Sequence, residues 1–228
     1  MLIAGLVKTS LVDYPGTISC VLFTPGCNYN CFYCHNRSLI DGAYTLLNRH
    51  TLHEFLAKRA GQLDGVVITG GEPTLQPDLP AFIAYLKSFG YRIKLDSNGS
   101  APQVVRQLLD AGACDYYAVD FKAPPLRYRE ICGPVASPAA VLNTIQLLLQ
   151  YNASFEVRTT IVPQFSKADL LTMAQSLPPV PCYRLNRYRK PEFFLPEDAE
   201  KVQAPPYSAD QLLAMAEAMR IYQPNVIA

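Results

Sequence analysis

At 228 residues the chain is long enough for one domain with a substantial core or at most two small ones, and a hydrophobic share of 50% against 17% charged excludes a largely disordered polypeptide. The formal net charge of +1 leaves no electrostatic footprint for nucleic acid or an anionic membrane surface. No apolar run reaches transmembrane length and Met1–Ser10 lacks the layout of a signal peptide, so a soluble cytoplasmic protein is expected, with neither nucleic acid nor membrane as partner.

In chain order, the first β-prone run is Ile18–Phe23, followed at once by a cysteine-rich loop and then by Thr51 and Glu54, whose spacing predicts a capping box opening the first helix. Gly65–Thr69 reads as the second strand, and Leu79, Phe82, Ile83, Leu86 and Phe89 as a helical stripe ended by Gly90. Arg92–Asp96 is the third strand, with Val104, Val105, Leu108 and Leu109 as the next stripe. Tyr116–Asp120 is the fourth, followed by Leu142, Ile145, Leu148 and Leu149. Phe155–Ile161 is the fifth, with Leu170, Leu171 and Ala174 after it, and Cys182–Asn186 is the sixth. Ser176–Tyr207 holds seven prolines and reads as irregular structure around that last strand; Ser208 with Gln211 predicts a capping box for the final helix.

Strand then helix, repeated six times, is the pattern of βα units around a parallel sheet. Periodicity alone fits both an open barrel and a doubly wound sheet. The expected fold class is α/β, a partial (β/α)6 TIM-like barrel: a parallel sheet with outer helices, a core over about 17–190, and 176–228 packed on it in a single domain. In either architecture, ligands sit at the carboxyl ends of the strands.

Seven cysteines without an export signal argue against a disulfide framework. Cys20, Cys114, Cys132 and Cys182 are scattered, as small buried hydrophobes are. Cys27, Cys31 and Cys34 are different: they are spaced four and three apart, directly after the first strand, with Gly26 and the loop's asparagines permitting a tight turn. Soft thiolates suit zinc or an iron–sulfur cluster. A structural zinc site wants a fourth ligand at short spacing, and His35 adjoins Cys34 too closely to supply it. Three thiolates on a four-iron cubane leave one iron open, whereas an electron-transfer cluster has four cysteines. Chance clustering is the third reading.

Cys27-x-x-x-Cys31-x-Tyr33-Cys34 resembles the signature of the radical S-adenosylmethionine (SAM) superfamily. The resemblance implies a [4Fe-4S] cluster on the three cysteines, SAM chelating the open iron, reductive cleavage of its C–S bond and hydrogen abstraction by the 5′-deoxyadenosyl radical; Tyr33 would then lie against the adenine. Thr69–Pro73 read alone is a turn whose glycines admit a ligand closely. In register behind the cysteine loop, Gly70, Gly71, Glu72 and Pro73 resemble the superfamily's motif for the SAM amino group.

The strand ends Lys94–Gly99 and Asp120–Lys122 read as solvated termini or as barrel chemistry. They resemble the glycyl radical enzyme activases, which implies that Asp96, Ser97, Asn98 and Asp120 surround SAM. By the same resemblance Asp96, Ser97 and Asp120 hold a monovalent cation, and Lys122 faces the SAM carboxylate or the substrate. Alternation puts Glu156, Arg158 and Thr160 on one strand face. Arg158 there is either an ion-pair member or a fork for the SAM carboxylate. Some relatives place a SAM-contacting histidine on the last strand; this chain's histidines are His35, His50 and His53, the latter two expected at the surface, so Asn186 is the substitute candidate.

Lys8–Gly16 followed by the cysteine loop resembles the activating proteins of anaerobic ribonucleoside-triphosphate reductase, of the pyruvate formate-lyase activase kind. That implies an oxidoreductase abstracting hydrogen from a backbone glycine of a glycyl radical enzyme, with a flavodoxin- or ferredoxin-like electron donor. A radical SAM enzyme acting on a small molecule, such as the 7-deazaguanine-forming type of similar size, and a non-catalytic electron carrier are the alternatives.

Overall fold

The computed structural model describes all 228 residues. One sheet carries eight strands in sequence order: β1 (Gly5–Ser10), β2 (Ser19–Thr24), β3 (Gly65–Gly70), β4 (Arg92–Ser97), β5 (Tyr116–Asp120), β6 (Phe155–Ile161), β7 (Tyr183–Arg187) and β8 (Val226–Ile227). From β2 to β8 every pairing is parallel, and β1 runs antiparallel to β2. The unbroken order excludes a doubly wound sheet, which reverses direction at a switch point. β1 does not pair with β8, so the barrel stays open along one side. The six expected strands are all present. β1 and β8 are additions: Val7, Lys8 and Thr9 are exposed, so β1 has no alternating buried face to betray it, and β8 is two residues long.

Nine helices accompany the sheet: α1 (Arg37–Ile40), α2 (Arg49–Arg59), α3 (Leu79–Lys87), α4 (Pro102–Asp110), α5 (Tyr128–Cys132), α6 (Pro138–Gln150), α7 (Lys167–Gln175), α8 (Ala199–Gln203) and α9 (Ala209–Met219). The apolar stripes read from sequence supply their inward faces, such as Leu79, Ile83 and Leu86 on α3. The expected Thr51–Glu54 box is not used. Asn48 caps α2 instead, its side chain accepting from the backbone N–H groups of His50 (2.8 Å) and Thr51 (3.4 Å), so Thr51 already lies inside the helix. The Ser208–Gln211 box is present on α9, and Ser166 with Asp169 forms another on α7.

The two faces of the sheet differ in kind. The outward residues, among them Ile68, Leu95, Val119 and Val157, are fully buried beneath the helices. The inward residues are apolar only where Tyr14 packs with Val21 and Val67, flanked by Phe23 and Tyr116. Elsewhere the interior holds Lys94, Asp96, Asp120, Glu156, Arg158 and Thr160, where branched aliphatic side chains fill a closed barrel. That substitution turns a core into a polar cavity.

The C-terminal segment returns to the sheet: α9 packs on α7 and β7, and β8 extends the edge. Gln223, 1% exposed, fastens this return. Its amide nitrogen donates to the carbonyls of Ala174, Leu177 and Pro178, and its oxygen accepts from Val180 N–H. Gln223→Leu strands these buried backbone groups without partners and is expected to lower stability by about 2–4 kcal/mol in urea unfolding, while iron bound per folded molecule stays unchanged.

Candidate active site

The cysteine loop follows β2 directly and lies at the carboxyl end of the sheet. Cys27, Cys31 and Cys34 are free thiols lining one cavity with Tyr33, Gly70, Gly71, Asp96, Ser97, Asn98, Asp120, Lys122 and Arg158. Most of the residues singled out from sequence are therefore brought together. No three His, Cys, Asp or Glu side chains are close enough together to hold a single metal ion. A cubane sets its thiolates on separate corners and so accepts a wider spacing. Burial pushes the Cys27 thiol up to about 11 and raises Cys34, while Cys31 is pulled below its ordinary value, first by the Cys132 thiol lying against it. Metal loading must displace the protons from the raised pair.

Side chains from several elements fasten the loop. Asn98 donates to the Asn28 side chain (2.9 Å) and to Cys27 Sγ (3.8 Å), and Asn28 donates to Ser100 Oγ (2.9 Å). Asn36 reaches the Gly70 carbonyl (2.7 Å). Arg37, 4% exposed, donates to the Asn30 side chain and to the Cys31 carbonyl (3.4 Å), and the Asn30 N–H donates to the Cys132 carbonyl (2.8 Å). The loop asparagines thus serve through hydrogen bonds and not by left-handed backbone: Asn152 is the only non-glycine residue with positive φ. Arg37 and the α5 terminus went unnoticed in the sequence, because nothing in their spacing signals contact with the cysteines.

The two glycines at the end of β3 have a specific cause. A Cβ on Gly71 would stand 1.9 Å from the Gly26 carbonyl oxygen, and one on Gly70, at φ +116°, 2.3 Å from Thr24 N. Only glycine lets the β3 end close on the cysteine loop, where Gly71 and Glu72 N–H donate to the Thr24 and Gly26 carbonyls, both at 2.8 Å. Glu72 itself does not line the cavity. Its fully buried carboxylate accepts from Thr74 N–H (3.0 Å), Thr74 Oγ1 (2.5 Å), Ser97 Oγ (2.8 Å) and Asn98 N–H (2.6 Å). Burial holds the carboxyl above its ordinary range, opposed by these bonds. Pro73 is buried behind the turn.

Six ion pairs join seven inward charges of alternating sign. Arg184 pairs with Glu156 (3.1 Å), Glu156 with Lys94 (3.7 Å) and Lys94 with Asp96 (2.7 Å). Arg158 then spans Asp96 (2.9 Å) and Asp120 (3.0 Å), and Lys122 closes the chain on Asp120 (2.9 Å). Burial raises Asp120, but Arg158 and Lys122 outweigh it and hold the carboxyl well below its usual range. Lys122 is pushed up against its burial by Asp120. The two carboxylates that the resemblance assigns to a monovalent cation are bridged by a guanidinium, and the Ser97 hydroxyl is taken by Glu72. Arg158 Nη2 makes no bond to protein.

Asn186 is not among the residues around the cysteines. It borders two adjoining clefts beside β7. Thr160 and Tyr29 line the cavity and were not singled out. His50 and His53 are exposed, as expected; His53 meets the Tyr85 hydroxyl at 2.7 Å.

A family model described as Radical SAM superfamily matches residues 21–177. A protein of Methanocaldococcus jannaschii named "Putative glycyl-radical enzyme activating enzyme" is 30% identical over 99% of this chain and 95% of its own. One of Thermococcus kodakarensis named "Probable GTP 3',8-cyclase" is 26% identical over 68% of this chain, which spans about half (51%) of that relative. Among solved structures, Streptococcus suis SuiB bound to S-adenosylmethionine superposes with a TM-score of 0.65 at 14% identity, covering 89% of this chain and 48% of that one.

The bonds that Glu72 accepts make it a clamp between the β3 and β4 ends. Glu72→Gln turns two acceptor lone pairs into donors facing donors, and a loss of about 2–4 kcal/mol is expected in urea unfolding of the metal-free protein. A contact made only with a ligand would leave that stability unaltered.

Proposed function

The chain belongs to the radical SAM superfamily, and from that premise we propose that it activates a glycyl radical enzyme, with anaerobic ribonucleoside-triphosphate reductase as the partner. Radical SAM enzymes use a [4Fe-4S] cluster and SAM, and when bound these supply a 5′-deoxyadenosyl radical able to remove a hydrogen atom from an unactivated carbon. The observation that carries the activase reading is the end-to-end likeness to a relative bearing that name. The reductase as partner rests on the resemblance of Lys8–Gly16 and the cysteine loop to activators of that enzyme.

The residues then divide by task. Cys27, Cys31 and Cys34 would hold the cluster, with Asn98 donating to Cys27 Sγ and so helping to set its potential. Tyr33, buried against Phe32, would wall the nucleoside side, and the Gly70–Gly71 backbone would meet the SAM amino group. Arg158 is both ion-pair member and fork in this reading: two nitrogens are held by Asp96 and Asp120, and Nη2 is left for the SAM carboxylate. Lys122, fixed by Asp120, adds a second cation on that side. An open flank suits a polypeptide substrate, whose glycine must enter from outside. Its electrons would come from a flavodoxin- or ferredoxin-like protein.

Two outcomes are expected. After anaerobic loading with iron and sulfide, reduced protein with SAM should leave a glycyl radical, seen by electron paramagnetic resonance, on the reductase encoded in the same genome. Cleavage of SAM with no such signal on any glycyl radical enzyme of that genome would end the activase reading. Alanine at Cys27, Cys31 or Cys34 should remove the cluster's visible absorption, and alanine at Cys20, Cys114 or Cys182 should keep it. Arg158→Lys preserves the charge between Asp96 and Asp120 but not the fork, and should weaken SAM binding about 10–100-fold by equilibrium dialysis.

A further inference from the structure

The cations that face the cavity are each held by carboxylates: Arg158 by Asp96 and Asp120, and Lys122 by Asp120. Arg37, behind the cysteine loop, is held differently. Its side chain is 4% exposed, with Nη1 donating to the Asn30 side chain, Nη2 donating to the Cys31 carbonyl (3.4 Å) and Nε without a partner. Its acidic neighbour, Asp41, stands at 3.6 Å, beyond hydrogen-bond reach, and is 44% exposed. Solvent screens such a carboxylate, so the guanidinium beside Cys31 keeps most of its charge.

Fastening the loop does not require that charge. A neutral amide can donate to the Asn30 side chain or the Cys31 carbonyl, and a buried cation is costly where no anion repays it. The field of Arg37 also reaches the sulfurs. Cys31, lowered first by the Cys132 thiol, and Cys34, raised first by burial, are both drawn toward thiolate by Arg37. A four-iron cluster on three thiolates carries net negative charge, and reduction adds one electron to it. A fixed positive charge in low-dielectric surroundings favours the reduced form.

We propose that the Arg37 guanidinium raises the reduction potential of a cluster held by Cys27, Cys31 and Cys34, and that Asp41 partly offsets it. The inference rests on the cluster reading of the three cysteines and is independent of what the radical attacks. Arg37 does not line the cavity, so it acts through Cys31 and not on a ligand. Asn98 works at Cys27 by a bond to sulfur, whereas Arg37 works at Cys31 by charge. The consequence is that the oxidised cluster accepts its electron from a weaker one-electron reductant.

The test is a potentiometric titration of the full, cluster-loaded chain without SAM, followed by the electron paramagnetic resonance signal of the reduced cluster. Arg37→Gln should shift the reduction equilibrium about tenfold toward the oxidised form, which is about 59 mV for one electron. Arg37→Lys keeps the charge and should stay within about twofold of the parent. Asp41→Asn, at a half-exposed side chain, should move the equilibrium about two- to threefold the other way. Asp110→Asn, which removes an exposed charge at the far end of α4, should leave it in place. A shift under about threefold in Arg37→Gln, a fall in Arg37→Lys as deep as in Arg37→Gln, or no rise in Asp41→Asn overturns the proposal. Where Arg37→Gln takes up no iron, Asp41→Asn decides alone. A signal that survives alanine at Cys27, Cys31 or Cys34 ends the cluster reading and this inference with it, whereas an unmoved potential ends this inference alone.

Discussion

Arg158 has to be neutralised before the barrel can close around it, and the interior is arranged to do that. A lone guanidinium taken out of water costs several kcal/mol, as does each of the carboxylates beside it. Alternating the signs across β4, β5, β6 and β7 satisfies each buried charge with its neighbours, so no single ion is left to bear the cost. Register is what makes this work. Asp120 stands opposite Arg158 and Ala118 opposite Asp96, so the small alanine lets Arg158 reach across β5 to β4. A one-residue slip would turn these groups into the apolar layer under the helices. The ion chain therefore fixes the sheet register at the level where chemistry occurs.

The same economy governs the cysteine loop. Three thiols with no cluster between them gain little from one another, and none of the three pairs as a disulfide. Their placement comes from outside the loop: Gly70 and Gly71 let β3 press against Gly26, Glu72 ties that turn to β4, and Asn98 joins β4 back to Asn28 and Cys27. Glu72 holds the turn whose backbone lines the cavity. A conformation imposed by the scaffold leaves the thiols pre-arranged, so metal binding does not have to order the loop as well.

What could be read in advance follows from the range of each interaction. The six parallel strands and the outer helices were legible because the outward face is fully buried and demands an apolar residue at alternate positions, as in Ile68, Leu95 and Val157. The cysteines, Gly70–Gly71 and the acidic strand ends were legible because their chemistry is local and tied to motif spacing. β1 was hidden by its exposed residues, and the Thr51–Glu54 box failed because Asn48, three residues earlier, is an equally good cap. Long-range partners were not legible at all. Arg37 reaching Asn30, or the α5 terminus meeting the cysteine loop, depends on where distant segments come together. Asn186 stands on the strand expected for it, and which cleft it borders depends on how the barrel opens there.

The open side is the feature that separates this barrel from a closed enzyme core. A closed barrel would pair the two end strands, β1 and β8, and seal the interior from large substrates. Here β1 runs antiparallel to β2, β8 reaches only two residues of β7, and the two end strands do not pair. The cost is an exposed sheet edge, which soluble proteins keep from aggregating with charge. Charge of either sign would serve that purpose. Arg187, exposed and with its Nε donating to the Tyr207 carbonyl, sets such a charge at the carboxyl end of β7.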